Sequence, residues 1–135
     1  MEIKVTLPGG KKINAEFEDG TVVMTDQPVR YGGEGSAPTP YALFLASIGT
    51  CAGIFIQGFC AERNIPYEGI TITQRLEYEA TPFGSTKLGR IVLEINVPAD
   101  FPEKYHKAII KVADQCAVKK TILDPPGFEV KTVVV

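Results

Sequence analysis

The sequence lacks the side chains that most metal and nucleic-acid sites require. His106 is its only histidine, and no Cys-x-x-Cys or His-x-x-x-His spacing occurs. A dedicated metal site has too few ligands, and none is expected. A basic run is missing too: 14 lysines and arginines are scattered among 16 aspartates and glutamates, for a net charge of -2. That excludes the concentrated basic face that binds nucleic acid. Met1 to Leu7 alternates charged and apolar residues instead of leading from a basic segment into an apolar run and a cleavage site. No secretory signal is read there, and a cytoplasmic setting is expected. Internal repeats and low-complexity stretches are absent. Cysteine is scarce and odd in number, at Cys51, Cys60 and Cys116. This argues against a structural disulfide framework and for thiols kept reduced, with any disulfide transient.

What is present suits one domain spanning residues 1–135. Ile3, Val5 and Leu7 alternate with polar residues, Pro8-Gly9-Gly10 breaks the run, and Ile13, Ala15 and Phe17 resume it. This predicts a hairpin, with a third strand at Val22 to Met24 after the Asp19-Gly20 turn. The Gly- and Pro-rich stretch from Gln27 to Pro40 is expected to be loop. Thr39-Pro40 then supplies a helix start, a hydroxyl to cap a free amide and a proline at the first helical position. The helix is expected to run to about Glu62, before Ile65-Pro66 makes continuation costly. Ile70 to Tyr78 and Leu88 to Val97 predict a second hairpin. Pro102 opens a second, amphipathic helix on which Tyr105, Ala108, Ile109, Val112, Ala113 and Cys116 form the apolar stripe. A short helix through Val118 and Ile122 and a final strand over Phe128 to Val135 complete the reading. The fold class is α+β, with mainly antiparallel sheets, a long buried central helix and a second amphipathic helix.

The first helix carries no charge from Tyr41 to Ala61. By length it could span a bilayer, but Ser47, Thr50 and Gln57 and the amphipathic strands around it favour a soluble core helix. Opposite Cys51, the residues Ala42, Ala46, Gly49, Gly53 and Cys60 form a small-residue face suited to close backbone approach. The Cys51 face carries Phe44, Ile48 and Phe55, which could wall an apolar pocket. So small a monomer cannot easily cover a helix that is apolar all round, and a homodimer is expected.

Cys60, nine positions after Cys51, lies about half a turn out of phase and reads as packing. Cys116 ends the stripe of the second helix and so faces the same core as the first. Pattern alone leaves the Cys51 and Cys116 pair open between core filling and chemistry.

Two segments carry a resemblance: GGEGSAPTPYALFLASIGTC at residues 32–51 and ADQCAVKK at residues 113–120. With the order of strands and helices, they resemble the OsmC/Ohr family of thiol-dependent hydroperoxide reductases over essentially the whole chain. The resemblance implies an intertwined homodimer with Cys51 as the peroxidatic and Cys116 as the resolving thiol, recycled by an external dithiol. It implies no metal and no bound organic cofactor. Two positions depart from the pattern. Organic-hydroperoxide members have a glutamate where this chain has Tyr41. For the supporting arginine of the first hairpin this chain offers Lys11 and Lys12. Burial disfavours a thiolate unless a cation or donor offsets it, and Arg30, Lys11, Lys12 or Tyr41 could supply that support.

Two functions therefore stand open. One is a peroxidase preferring organic hydroperoxides. The other is a non-peroxidase relative that binds a small apolar or thiol-bearing molecule. The Gly32 to Gly35 loop, with Glu34 and no lysine, reads as an ordinary loop and not a phosphate cradle. His106 reads as a solvated side chain with no catalytic role.

Overall fold

The computed structural model describes residues 1–135 and divides into two units, Met1–Ala46 and Ser47–Val135. The boundary falls within the long helix α1, Pro40–Glu62.

In the N-terminal unit β1 (Ile3–Gly9), β2 (Lys12–Phe17) and β3 (Val22–Thr25) form an antiparallel sheet in the order β1-β2-β3. Val5 lies opposite Ala15, and Ala15 opposite Val23, so the alternation read in the sequence becomes one shared face. Gly9 and Gly10 take positive φ, 135° and 60°, which is why the break between the first two strands is glycine. After β3 comes a short 3-10 turn, Val29–Tyr31, and then the Gly-rich loop. That loop is ordered by one carboxylate. Asp26, 1% exposed, accepts from the Gln27 amide at 2.7 Å, the Ser36 hydroxyl at 2.7 Å, the Ser36 amide at 3.1 Å and the Glu34 amide at 3.2 Å. The loop amides that could have bound an external anion already hold an internal one. α1 starts as expected, with the Ala42 amide donating to Thr39 Oγ1 at 3.1 Å and Pro40 at the first helical position.

In the C-terminal unit α1 ends where Asn64 enters the left-handed region at φ 54° and the Ile65 amide bonds back to the Cys60 carbonyl at 2.9 Å, a C-terminal cap of the kind asparagine tolerates. β4 (Thr71–Ala80) and β5 (Thr86–Asn96) form an antiparallel hairpin with a bulge at Glu77/Tyr78. The small-residue face of α1 lies against β4: a Cβ on Gly49 would stand 2.8 Å from Gln74 Oε1, and one on Gly53 3.8 Å from Ile72 Cδ1. A 3-10 turn, Glu103–Tyr105, leads into α2 (His106–Ala113), and α3 follows at Ala117–Leu123. Ala52, Ile56, Phe59 and Cys60 of α1 pack with Phe101, Ile109 and Ala113 to form the core. The Phe59 and Tyr105 rings meet edge to face at 5.4 Å. Burying each large apolar side chain here contributes about 1.5–3 kcal/mol.

Two sequence expectations change. The final strand over Phe128 to Val135 does not form, and residues 125–135 have no regular structure. Alternation supplies propensity, but a strand needs a hydrogen-bonded neighbour, and this segment has none. Cys116 does not end the second helix. α2 stops at Ala113, and Cys116 begins α3. Within one chain α1 is not covered on all sides, since Ile54 is 66% exposed. By length and composition α1 could cross a bilayer, yet Ile48, Ala52, Ile56, Phe59 and Cys60 are turned into protein.

Candidate active site

α1 holds Cys51 half-buried on its surface, and the break between α2 and α3 delivers Cys116 to it. α2 ends in a tight turn, the Asp114 amide bonding to the Ile110 carbonyl and the Gln115 amide to the Val112 carbonyl, both at 3.1 Å. Cys116 then takes φ -49°, ψ 120°, non-helical backbone suited to an N-cap. Its sulfur accepts the Lys119 amide at 3.4 Å and lies 3.8 Å from the Ile48 carbonyl oxygen, one turn before Cys51 on α1.

The surroundings of the two thiols, including the effect of each on the other, drive their pKa values apart. The Cys51 thiol is lowered, first by the Val118 N–H, then by the Cys116 thiol and the Ala117 N–H, against the opposing effect of burial. The Cys116 thiol is raised, chiefly by burial and further by Cys51, with the Lys119 N–H opposing. Cys51 therefore gives up its proton first, while Cys116 keeps its own. A thiolate beside a protonated thiol is a nucleophile next to a partner able to capture its oxidised form. Both cysteines are free.

Cys60 stands apart from this pair. It is fully buried in the core, burial raises its pKa with Arg63 opposing, and the Arg63 guanidinium stacks 3.8 Å from the Phe59 ring centroid.

Beside the pair, the same unit carries a mostly apolar groove of about 620 Å³ between β5, α2 and α3. Ile91 and Leu93, Ile109, Ile122 and Leu123 contribute to it with Ile48. Of the three residues expected to wall a pocket, Ile48 lines this groove and Phe55 is half-buried outside its lining. Phe44, in the N-terminal unit, stacks on Tyr41 with ring centroids 5.9 Å apart. His106 is exposed, packs against Phe101 at 5.6 Å and borders the groove.

The residues expected to support the thiolate belong to the N-terminal unit. Lys12 pairs with Glu34 at 2.8 Å, Arg30 lies over the Tyr31 ring at 5.0 Å, and Lys11 borders a hollow of about 320 Å³ with Lys12 and Asp26. The support visible in the C-terminal unit is instead the backbone N–H groups of Val118 and Ala117. No side-chain signal could have announced them, because every non-proline residue carries that donor.

This is an α+β protein built around a dithiol whose two members are electrostatically unequal. The OsmC-like protein family model matches residues 33–131, and the chain belongs to that family. Among solved structures, a Psychrobacter arcticus 273-4 protein described as an osmotic stress induced and detoxification response protein is similar at 24% identity, with a TM-score of 0.72, over 90% of this chain and 87% of that one. An organic hydroperoxide resistance protein of Legionella pneumophila is similar at 25% identity, with a TM-score of 0.59, over 90% and 89%. The organic hydroperoxide resistance protein OhrB of Bacillus subtilis is similar at 22% identity, with a TM-score of 0.56, over 90% of each chain. No curated protein matches the sequence.

Proposed function

We propose that the protein is a thiol-dependent peroxidase that reduces organic hydroperoxides through Cys51 and Cys116, acting as a cytoplasmic homodimer recycled by an external dithiol. The observation that carries this reading is the position of Cys116, its sulfur 3.8 Å from the Ile48 carbonyl oxygen one turn before Cys51 on α1, together with the opposite displacement of the two thiols, Cys51 down and Cys116 up. Family membership and the hydroperoxide-resistance relative at 25% identity support it. In the cycle the Cys51 thiolate attacks the O–O bond, an alcohol leaves, and Cys51 becomes a sulfenic acid. Cys116 displaces its hydroxyl as water and forms the disulfide, which the dithiol reduces by exchange. The cycle as proposed uses no metal or organic cofactor. Arg30, Lys11, Lys12 and Tyr41 are the proposed further supports of the thiolate, and Phe44, Ile48 and Phe55 the proposed apolar lining for the substrate. The dimer reading draws on the apolar side chains that α1 leaves exposed, Ile54 and Phe44, which a symmetric partner would cover.

The test is peroxide consumption with cumene hydroperoxide and excess dithiothreitol. Cys51→Ser is expected to lose at least about 100-fold in rate, because a hydroxyl does not ionise at neutral pH. Cys116→Ser is expected to form a sulfenic acid on Cys51 without completing an internal disulfide. Unchanged consumption in both variants would reject the reading.

Tyr41, standing where the hydroperoxide members carry glutamate, favours a second reading, a non-peroxidase relative that binds a small apolar or thiol-bearing molecule. Mass spectrometry after one equivalent of cumene hydroperoxide separates the two. Rapid appearance of the Cys51–Cys116 disulfide rejects binding alone, and its absence rejects the peroxidase.

A further inference from the structure

Cys116 has two roles in the reduced protein. It is the thiol beside Cys51, and it is the N-cap of α3, accepting the Lys119 amide at 3.4 Å while its proton can reach the Ile48 carbonyl 3.8 Å away. We propose that α3 is a redox-gated element: forming the Cys51–Cys116 disulfide uncaps the helix, and reducing it restores the cap. This rests on the pairing of the two cysteines proposed above.

The chemistry forces a change at the cap. In the overall step a hydroperoxide and two thiols become an alcohol, water and a disulfide. The O–O bond breaks and the S–S bond forms, two electrons pass from sulfur to oxygen, and both thiol protons end in the alcohol and water. The oxidised Cys116 sulfur has no proton for the Ile48 carbonyl. It is also a weaker acceptor, and its position is then fixed by the bond to Cys51 and no longer by the Lys119 amide.

Beyond this cap, α3 is held by the Ala117 and Val118 amides that face Cys51 and by contacts at the surface. It is seven residues long, and none of its side chains is buried. A helix that short is marginal unless its ends are satisfied. Lys119 also pairs with Asp114, a contact at the surface that is worth little. Because Lys119, Ile122 and Leu123 border the apolar groove, release of α3 opens one wall of it. The redox state of the pair is thereby passed to a surface beyond the two sulfurs.

Hydrogen exchange of the α3 amides tests this on the full-length protein, reduced with dithiothreitol or oxidised with diamide so that no peroxide is needed. The oxidised form is expected to exchange roughly fivefold faster over Lys119–Leu123, the effect of losing a typical cap, and to recover on reduction. Cys116→Ser, which keeps a capping oxygen, is expected to stay protected and ignore diamide. Cys116→Ala is expected to exchange fast with or without it. A confirmed disulfide with unchanged exchange, or a Cys116→Ala variant as protected as the parent, overturns the gate and leaves the dithiol cycle standing. Failure of diamide to produce any Cys51–Cys116 disulfide overturns both.

Discussion

The two units each hold an acidic group whose pKa is lowered by its surroundings, and they treat it differently. Asp26 in the N-terminal unit is enclosed and bonded by the Gln27, Glu34 and Ser36 amides and the Ser36 hydroxyl. Its pKa falls to about 2, first through the Ser36 hydroxyl. Cys51 in the C-terminal unit is also lowered by backbone N–H groups, from Val118 and Ala117, but it is only half-buried. Amide donors stabilise both charges by the same physics. What separates the two is saturation: Asp26 is enclosed with its donors closed around it, whereas Cys51 is left partly exposed.

The comparison is broken most severely at Gly33. A Cβ there would lie 1.9 Å from the Gln27 carbonyl oxygen and 2.8 Å from Asp26 Oδ1, so Gly33→Ala must displace the backbone that encloses the carboxylate. A loss on the order of 3 kcal/mol is expected from urea unfolding. A midpoint equal to the parent's would show that the loop around Asp26 yields easily. Next in size is the pH profile of alkylation. Iodoacetamide with peptide mapping is expected to give Cys51 an inflection below the ordinary thiol value of about 8.5 and a rate at pH 7 about tenfold or more above those of Cys60 and Cys116. Both of the latter are buried and raised. An inflection for Cys51 at or above the ordinary value would remove the thiolate from the comparison.

Asp26→Asn sharpens the other side. A carboxyl whose folded pKa lies below its unfolded value of about 3.9 stabilises the fold fully above that value, and the contribution disappears as pH falls through about 2. The Tm of Asp26→Asn is therefore expected to lie below the parent's at pH 7, with the gap closing between pH 4 and pH 2. A gap constant with pH would mean that the charge contributes nothing and that the loss is one of shape.

Much of this organisation was legible because it depends on side-chain identity. Thr39-Pro40 marks the start of α1, Ile65-Pro66 its limit, Gly9-Gly10 and Asp19-Gly20 the turns, and the family segments mark Cys51 and Cys116. The break before α3 was hidden because cysteine is not among the usual capping residues and because Ala113 and Cys116 continue the spacing of the α2 stripe. The donors to Cys51 were hidden because they are amides. Asp26 looked like any polar residue after a strand, since nothing in a linear reading shows that residues eight and ten positions later fold back onto it. Phe128 to Val135 misled in the opposite direction, carrying a strand pattern with no sheet edge bonded to it.

The smallest expected effect is at Gly49, the helical counterpart of Gly33. A Cβ there would also come too close to a neighbour, 2.8 Å from Gln74 Oε1, but that atom ends a flexible side chain, whereas the obstacle at Gly33 is backbone. Replacing glycine by alanine inside a helix gains about 1 kcal/mol, which offsets moving the Gln74 amide by a few tenths of an ångström. Gly49→Ala is therefore expected to change the urea midpoint by the equivalent of less than about 1 kcal/mol. A loss above about 2 kcal/mol would show that α1 is seated on β4 as rigidly as Gly33 is on Gln27. Close approach alone would then fix both glycines, whatever the flexibility of the atom they meet.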